Sequence, residues 1–258
     1  MAGLVALSAL VGFLAGPYVR TLAGGFTRDP DADLPAGPHA DMDSHAAPDT
    51  SPGSATDTTP RTPPGTAPRT DEQPPDTRAE AREAFARVLR TTPLPPWPPY
   101  LEVATAAVAA LVTWRAGLPY LYLALAGTAL AVIDWRTSRL PDVITLPSYP
   151  LLALSLLPTG ELPRALLGAA ALAAVYGALW LARPAAMGLG DVKLAGLIGM
   201  AAAARGWEAW VVAAVAGQLL GALYALALLL TRRASRDSQF PLGPFMLLGA
   251  LAAVCLAW

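Results

Sequence analysis

Long apolar runs separated by short polar breaks make up most of the chain, apart from one extended polar tract near its start. Residues 1–19 carry no charge and are mostly Ala, Leu, Val and Gly, with Arg20 next. Beyond residue 99, apolar runs cover 100–114, 117–133, 143–160, 164–183, 192–204, 208–230 and 240–258. A run of about 20 apolar residues matches the roughly 30 Å hydrocarbon core of a bilayer. The pattern predicts an all-α polytopic membrane protein with about eight transmembrane helices, the first within 1–24 and seven more within 99–258. A cleaved signal peptide competes for the first run, but it would have a basic start and a short apolar core. No Lys or Arg precedes this run, and it reaches the length of a span, so an uncleaved helix is favoured. The 192–204 run is short, which calls for an earlier start, a tilt or a thinned bilayer. Pro147 and Pro150 interrupt the run after Asp142 and free carbonyls that need neighbours or water. Gly12/Gly16 and Gly217/Gly221 have small-xxx-small spacing, a weak signal for close helix contact in so Gly/Ala-rich a chain.

The polar tract changes how the composition reads. Residues 25–100 hold 12 of the 19 acidic residues and 16 of the 26 prolines. The remainder is therefore more apolar than the overall 54% hydrophobic and 14% charged suggest. A soluble domain is about 25% charged, so an ordinary soluble enzyme is excluded. Residues 25–76 are mostly Pro, Asp, Thr, Ser, Gly and Ala with Phe26 as the one aromatic, and are expected to be disordered. Residues 77–90 have two open readings. They form either an amphipathic helix with Phe85, Val88 and Leu89 on one side, or a loosely ordered tether. The Pro-rich 93–99 stretch is a rigid lead into the next span, with Trp97 and Tyr100 at the level of an aromatic belt.

Charge and reactive side chains exclude more than they suggest. Formal net charge is −1, and no basic excess argues for nucleic acid. Cys255 is the sole cysteine, which excludes a disulfide scaffold. His39 and His45 are isolated in the polar tract, so neither a metal nor a cofactor is expected. Placing the N-terminus outside and alternating eight spans leaves 15 Lys and Arg in inner loops and 3 in outer ones. Dropping those from Arg28 to Arg78 still leaves 11 against 3, so the positive-inside bias survives. This orientation puts the tract and the 134–142, 184–191 and 231–239 loops on one cytoplasmic side.

Outside the tract the acidic residues are Glu102, Asp134, Asp142, Glu161, Asp191, Glu208 and Asp237. Charges at membrane depth are costly and point to function. Asp134, Asp142 and Asp191 each abut an apolar run at the predicted inner face. Asp134 ends one run and Asp191 begins another 57 residues on, with an out-and-back hairpin between them, so the two can meet at one face. Such a pair cannot both stay ionised; one carboxylate can take a proton from water while the other polarises a carbonyl. Local alternatives stay open for each. Asp191 follows Gly188-Leu189-Gly190 at an N-cap position, Asp142 after Pro141 could cap its own helix, and Asp134 could pair with Arg136 or Arg139. Gly188 and Gly190 would let backbone approach closely, and Lys193 could snorkel or act on a neighbouring carboxylate.

The segment 134–147 (DWRTSRLPDVITLP) resembles the first aspartate motif of the type IV prepilin leader peptidases, a family of GxGD membrane aspartyl proteases. The segment 188–194 (GLGDVKL) is similar to their GxGD motif with its trailing Lys, and 240–250 (FPLGPFMLLGA) resembles their PFGPFL-type stretch, with Leu242 where Phe is common. Residues 99–113 resemble the span after the family's cytoplasmic insertion, including an acidic residue at Glu102. The resemblance implies that Asp134 and Asp191 are catalytic, with Asp142, Glu102, Gly188, Gly190 and Lys193 in supporting roles. It implies removal of a short cytoplasmic leader from prepilins or pseudopilins, at the cytoplasmic face of a bacterial inner membrane. Many long members carry paired CxxC motifs for zinc in their cytoplasmic insertion and also methylate the new N-terminus. The tract here has no cysteine, so peptidase activity alone is expected. Two other readings compete, a small transporter or channel and a non-catalytic pilin assembly factor. A transporter would favour charges near mid-span, whereas these cluster at one face.

Overall fold

A computed structural model describes residues 1–26, 82–86, 99–184, 187–231 and 241–256, all within one structural unit. Of the tract expected to be disordered, 25–76, Gly25 and Phe26 instead end the first helix and the rest lies outside the described residues, as do 232–240 and most of 77–98; residues 82–86 are helical. Eight helices account for the apolar runs: α1 (Ala2–Gly25), α2 (Tyr100–Ala116), α3 (Leu121–Thr137), α4 (Asp142–Leu156), α5 (Leu162–Ala182), α6 (Leu189–Arg205), α7 (Trp207–Leu230) and α8 (Gly243–Leu256). Among the described residues four stretches are long and apolar enough to cross a bilayer, namely Ala2–Gly25, Leu118–Thr137, Leu162–Ala182 and Trp207–Leu230. The chain is thus an all-α polytopic membrane protein with at least these four spans.

Helix is the conformation this composition imposes, because in hydrocarbon a backbone amide must find its partner within its own segment. The breaks fall where that ladder is stopped. Only Gly206 separates α6 from α7, at φ +145°, a conformation that L side chains rarely adopt. α3 ends at Ser138, which takes a left-handed conformation and donates its amide to the Asp134 carbonyl at 2.7 Å. α4 continues through Pro147 and Pro150. Within it the hydroxyls of Thr145 and Ser148 are donated to carbonyls one turn back, those of Pro141 and Ile144.

Side-chain size runs inside out relative to a soluble bundle. α7 buries Ala209, Ala213, Gly217 and Gly221, at a spacing of four, and exposes Val211, Val215, Leu219 and Leu223. α1 likewise exposes Leu4, Leu7, Leu10 and Leu14 and buries Gly12 and Gly16. Lipid solvates leucine as well as a core does, so helices associate through small residues that let backbones approach. The contacts are close enough to need them. A Cβ at Gly16 would lie 2.6 Å from Glu102 Cα, and one at Gly217 would lie 2.9 Å from Met246 Cα. Gly12 and Gly16 therefore face the α1–α2 contact and Gly217 the α7–α8 contact, and Gly221 is buried.

The most enclosed helix is α6, in which every residue from Leu194 to Ala204 is buried. It starts at Leu189, three residues before the apolar run, and at about 1.5 Å per residue its 17 residues span roughly 25 Å. Leu130 of α3, Leu172 and Tyr176 of α5, Leu194 and Ile198 of α6, Ala213 of α7 and Met246 of α8 share one hydrophobic cluster. That cluster ties together the helices that carry the candidate site.

Candidate active site

Asp134 lies in the last turn of α3 and is 3% exposed. Its Oδ2 accepts the amide of Gly243 at 2.9 Å, 109 residues further along the chain. Gly243 is the first residue of α8, so this carboxylate sits at the N-terminus of another helix, where unpaired amides favour negative charge. A Cβ at Gly243 would lie 2.7 Å from Oδ2, so only glycine brings the backbone this near. Among the described residues no ion pair joins Asp134 to Arg136 or Arg139.

Asp191 is held within its own turn. Gly188 is the N-cap of α6 and Asp191 its third residue, and the Asp191 Oδ2 accepts the Gly188 amide at 3.3 Å. This corrects the local alternative from the sequence: Asp191 is not the N-cap but the third helical residue, whose carboxylate reaches back to the N-cap amide. The Asp191 charge reaches Asp134, so the out-and-back path of α4 and α5 returns the second carboxylate to the end of the bundle where α3 stops. Each aspartate uses Oδ2 for its amide, and Oδ1 of each makes no hydrogen bond among the described residues.

The other sequence-selected residues divide between this end and the α1–α2 contact. Asp142 is the first residue of α4 and does not cap it; both its oxygens accept the Lys193 ammonium at 2.7 Å. Lys193 is thereby committed to Asp142. The Gly190 position faces Leu140, whose Cβ would lie 3.0 Å from an added Cβ, so the space this glycine opens is filled from within the chain. At Gly188 the nearest such atom is 3.7 Å away. Glu102 is fully buried, and its Oε2 accepts from Arg20 Nη2 at 2.7 Å, locking α1 to α2. Its Oε1 and the Arg20 Nε lack partners among the described residues.

Sequence reasoning missed three contributors. Gly243 stood inside the quoted LGPF stretch, and that was the one available signal. Tyr149, whose hydroxyl is donated to the Lys193 carbonyl at 2.6 Å, gave none. Nor did buried Tyr176 of α5, which shares a hydrophobic cluster with Leu194 of α6. Among the described residues no group of three or more His, Cys, Asp or Glu is arranged to hold a metal.

Fold and site together define a polytopic membrane protein in which the charge of Asp191 acts on Asp134 at one end of a helical bundle. A model of the type IV leader peptidase family matches residues 121–226, a segment that holds Asp134, Asp142, Gly188, Gly190, Asp191 and Lys193. The chain is 32% identical over 169 residues to a prepilin leader peptidase/N-methyltransferase of Pseudomonas putida. It is 30% identical over 171 residues to the protein of that name from Pseudomonas aeruginosa, and 30% over 172 residues to that of Aeromonas salmonicida. Each match covers 60% of this chain and 57% of the relative, so the chain spans little more than half the length of the relatives it matches. No solved structure matches it. Over residues 121–226 the chain is similar to the type IV leader peptidase family, and its listed relatives are prepilin leader peptidase/N-methyltransferases.

Proposed function

We propose that this chain is an aspartyl endopeptidase that removes the short cytoplasmic leader of prepilin-like or pseudopilin proteins, with water activated between Asp134 and Asp191. The observation that carries the reading is the matched setting of the two carboxylates. Each is held through one oxygen by a helix N-terminal amide, at the same end of the bundle, with the other oxygen left for water or substrate. The pair holds one proton between them. The ionised member takes a proton from water as its oxygen attacks the scissile carbonyl carbon, while the protonated member donates to the carbonyl oxygen. Collapse of the tetrahedral intermediate breaks the C–N bond, the leaving nitrogen takes a proton, and the pair again holds one. The products are a leader carboxylate and a new N-terminal amine.

All eight helices cross the bilayer in this reading, with the N-terminus outside and the aspartates at the cytoplasmic face, an orientation the Lys/Arg bias supports. The depth is supported by aromatic packing beside Asp134. The Trp135 ring, 54% exposed, lies 6.0 Å from that of Tyr224 and 6.4 Å from that of Phe245. Such groups favour the membrane–water interface. There the substrate keeps its apolar helix in lipid while its leader stays in water. The reading is of the peptidase alone.

Co-expression with a candidate prepilin, scored by size shift and by the new N-terminus, tests it. Wild type is expected to cleave, and Asp191→Asn to insert normally and leave the precursor intact. Normal cleavage by a well-expressed Asp191→Asn protein overturns the dyad.

A further inference from the structure

The start of α6 is gripped at three places, twice from α4 and once from the segment just before it, and neither Asp134 nor Asp191 makes a grip. Lys193 Nζ donates to both Asp142 oxygens at 2.7 Å. Tyr149, two turns further along α4, donates its hydroxyl to the Lys193 carbonyl at 2.6 Å and also packs against Gly196. Leu140, just before α4, fills the space over Gly190. Lys193 is thus held by side chain and main chain at once, two residues from Asp191, and the residue before Asp191 is held by packing.

These contacts do little for global stability. The Lys193 and Asp142 side chains are 34% and 51% exposed, and exposed pairs contribute about 0–1 kcal/mol. Their value is positional. Among the described residues the Asp191 carboxylate has a hydrogen bond only to Gly188, inside the same turn, so that bond cannot register the turn against α3. Registration must come from other elements, and among the described residues the hydrogen bonds that reach 188–194 from another helix come from α4. Chain order makes α4 the natural reference: α3 ends just after Asp134, and only residues 138–141 separate it from Asp142.

We propose that Tyr149, Asp142 and Leu140 act as positioning residues, a clamp from α4 that holds Lys193 and Gly190 and so sets Asp191 opposite Asp134. The functional consequence rests on the peptidase reading above, whereas the structural one does not. The test uses the full chain in nanodiscs with Tyr149→Phe, Asp142→Ala, Lys193→Met and the Asp142→Ala/Lys193→Met double variant. Amide hydrogen exchange over 188–194 is expected to rise about fivefold in each, the scale of one lost hydrogen bond, without a change elsewhere in the bundle. Lys193→Arg, which keeps the charge, is expected to restore protection. In cleavage of a prepilin, kcat is expected to fall about tenfold at unchanged KM, since a small misplacement of a reacting group costs rate. The double variant is expected to be no worse than the poorer single variant, because the two residues act as one contact. Unchanged exchange in all variants overturns the clamp, as does multiplication of the two single effects, or raised exchange with wild-type kcat. A wild-type protein that cleaves nothing, alongside an equally inert Asp134→Asn, overturns the peptidase reading instead, and the exchange result still decides the clamp.

Discussion

Two carboxylates reach the same end of this bundle by opposite means. Asp191 is supported by its own turn, through the amide of a residue three positions earlier, in a segment whose Gly-Leu-Gly-Asp order already suggests a helix start. Asp134 closes a helix and is completed from far away, by the first amide of α8 across 109 residues. The first arrangement exists as soon as α6 forms. The second exists only once α8 has docked against α3, because a buried carboxylate without that amide would bear its desolvation alone. The local carboxylate tolerates change around it, and the remote one depends on a contact with no spare room.

Substitutions can break or sharpen that contrast. The largest effect is expected at the carboxylates, where Asp134→Asn and Asp191→Asn should each lower kcat at least about 10³-fold, as removal of a reacting group does. Unequal losses in a single-turnover assay would show that the two are not equivalent partners. Next comes Gly243→Ala, whose new Cβ would meet Asp134 Oδ2 at 2.7 Å. Displacing that carboxylate by a fraction of an ångström or more is expected to cost about 10²-fold in kcat. The matching change beside the other carboxylate, Gly188→Ala, meets nothing nearer than 3.7 Å at a φ of −79°, and activity should stay within about threefold, the scale of a weakened N-cap. Equal losses from the two alanines, measured side by side, would erase the distinction between remote and local support.

Smaller effects are expected away from the aspartates. Glu102→Ala strips Arg20 of its partner at the α1–α2 contact and should destabilise the protein by about 1–3 kcal/mol in detergent unfolding, with kcat near wild type. A collapse of kcat with unchanged stability would instead assign Glu102 to the chemistry. Smallest of all, deletion of residues 30–75 should leave cleavage largely intact, since their composition does not support a packed core. Loss of cleavage with normal insertion would give the tract a role.

Much of the fold was legible because lipid restricts the choices. The expected runs 100–114, 164–183 and 208–230 became helices Tyr100–Ala116, Leu162–Ala182 and Trp207–Leu230, each boundary within two residues. Apolar length, with Gly, Pro or charge at the ends, is enough when every amide must be paired within the segment. The short 192–204 run was misleading only at its start. Its first turn contains Gly190 and Asp191, polar by sequence yet helical, with the Asp191 carboxylate accepting the Gly188 amide at that end. Both aspartates were selected as site residues by position and motif alone.

Partnership was not legible. Lys193 could have faced Asp191, and its ammonium went to Asp142; Gly190 could have made room for another chain, and Leu140 occupies that room. Periodicity along one helix states which residues share a face but carries no information about the face opposite. Helix positions, the acidic residues at their ends and the return of the chain to one side follow from the order of residues, since each depends on near neighbours and on the solvent. The amide that meets Asp134, the clamp on Lys193 and the ion pair of Glu102 arise only when remote helices pack, because a hydrogen bond needs its two atoms within about 3 Å and sequence distance sets no such separation.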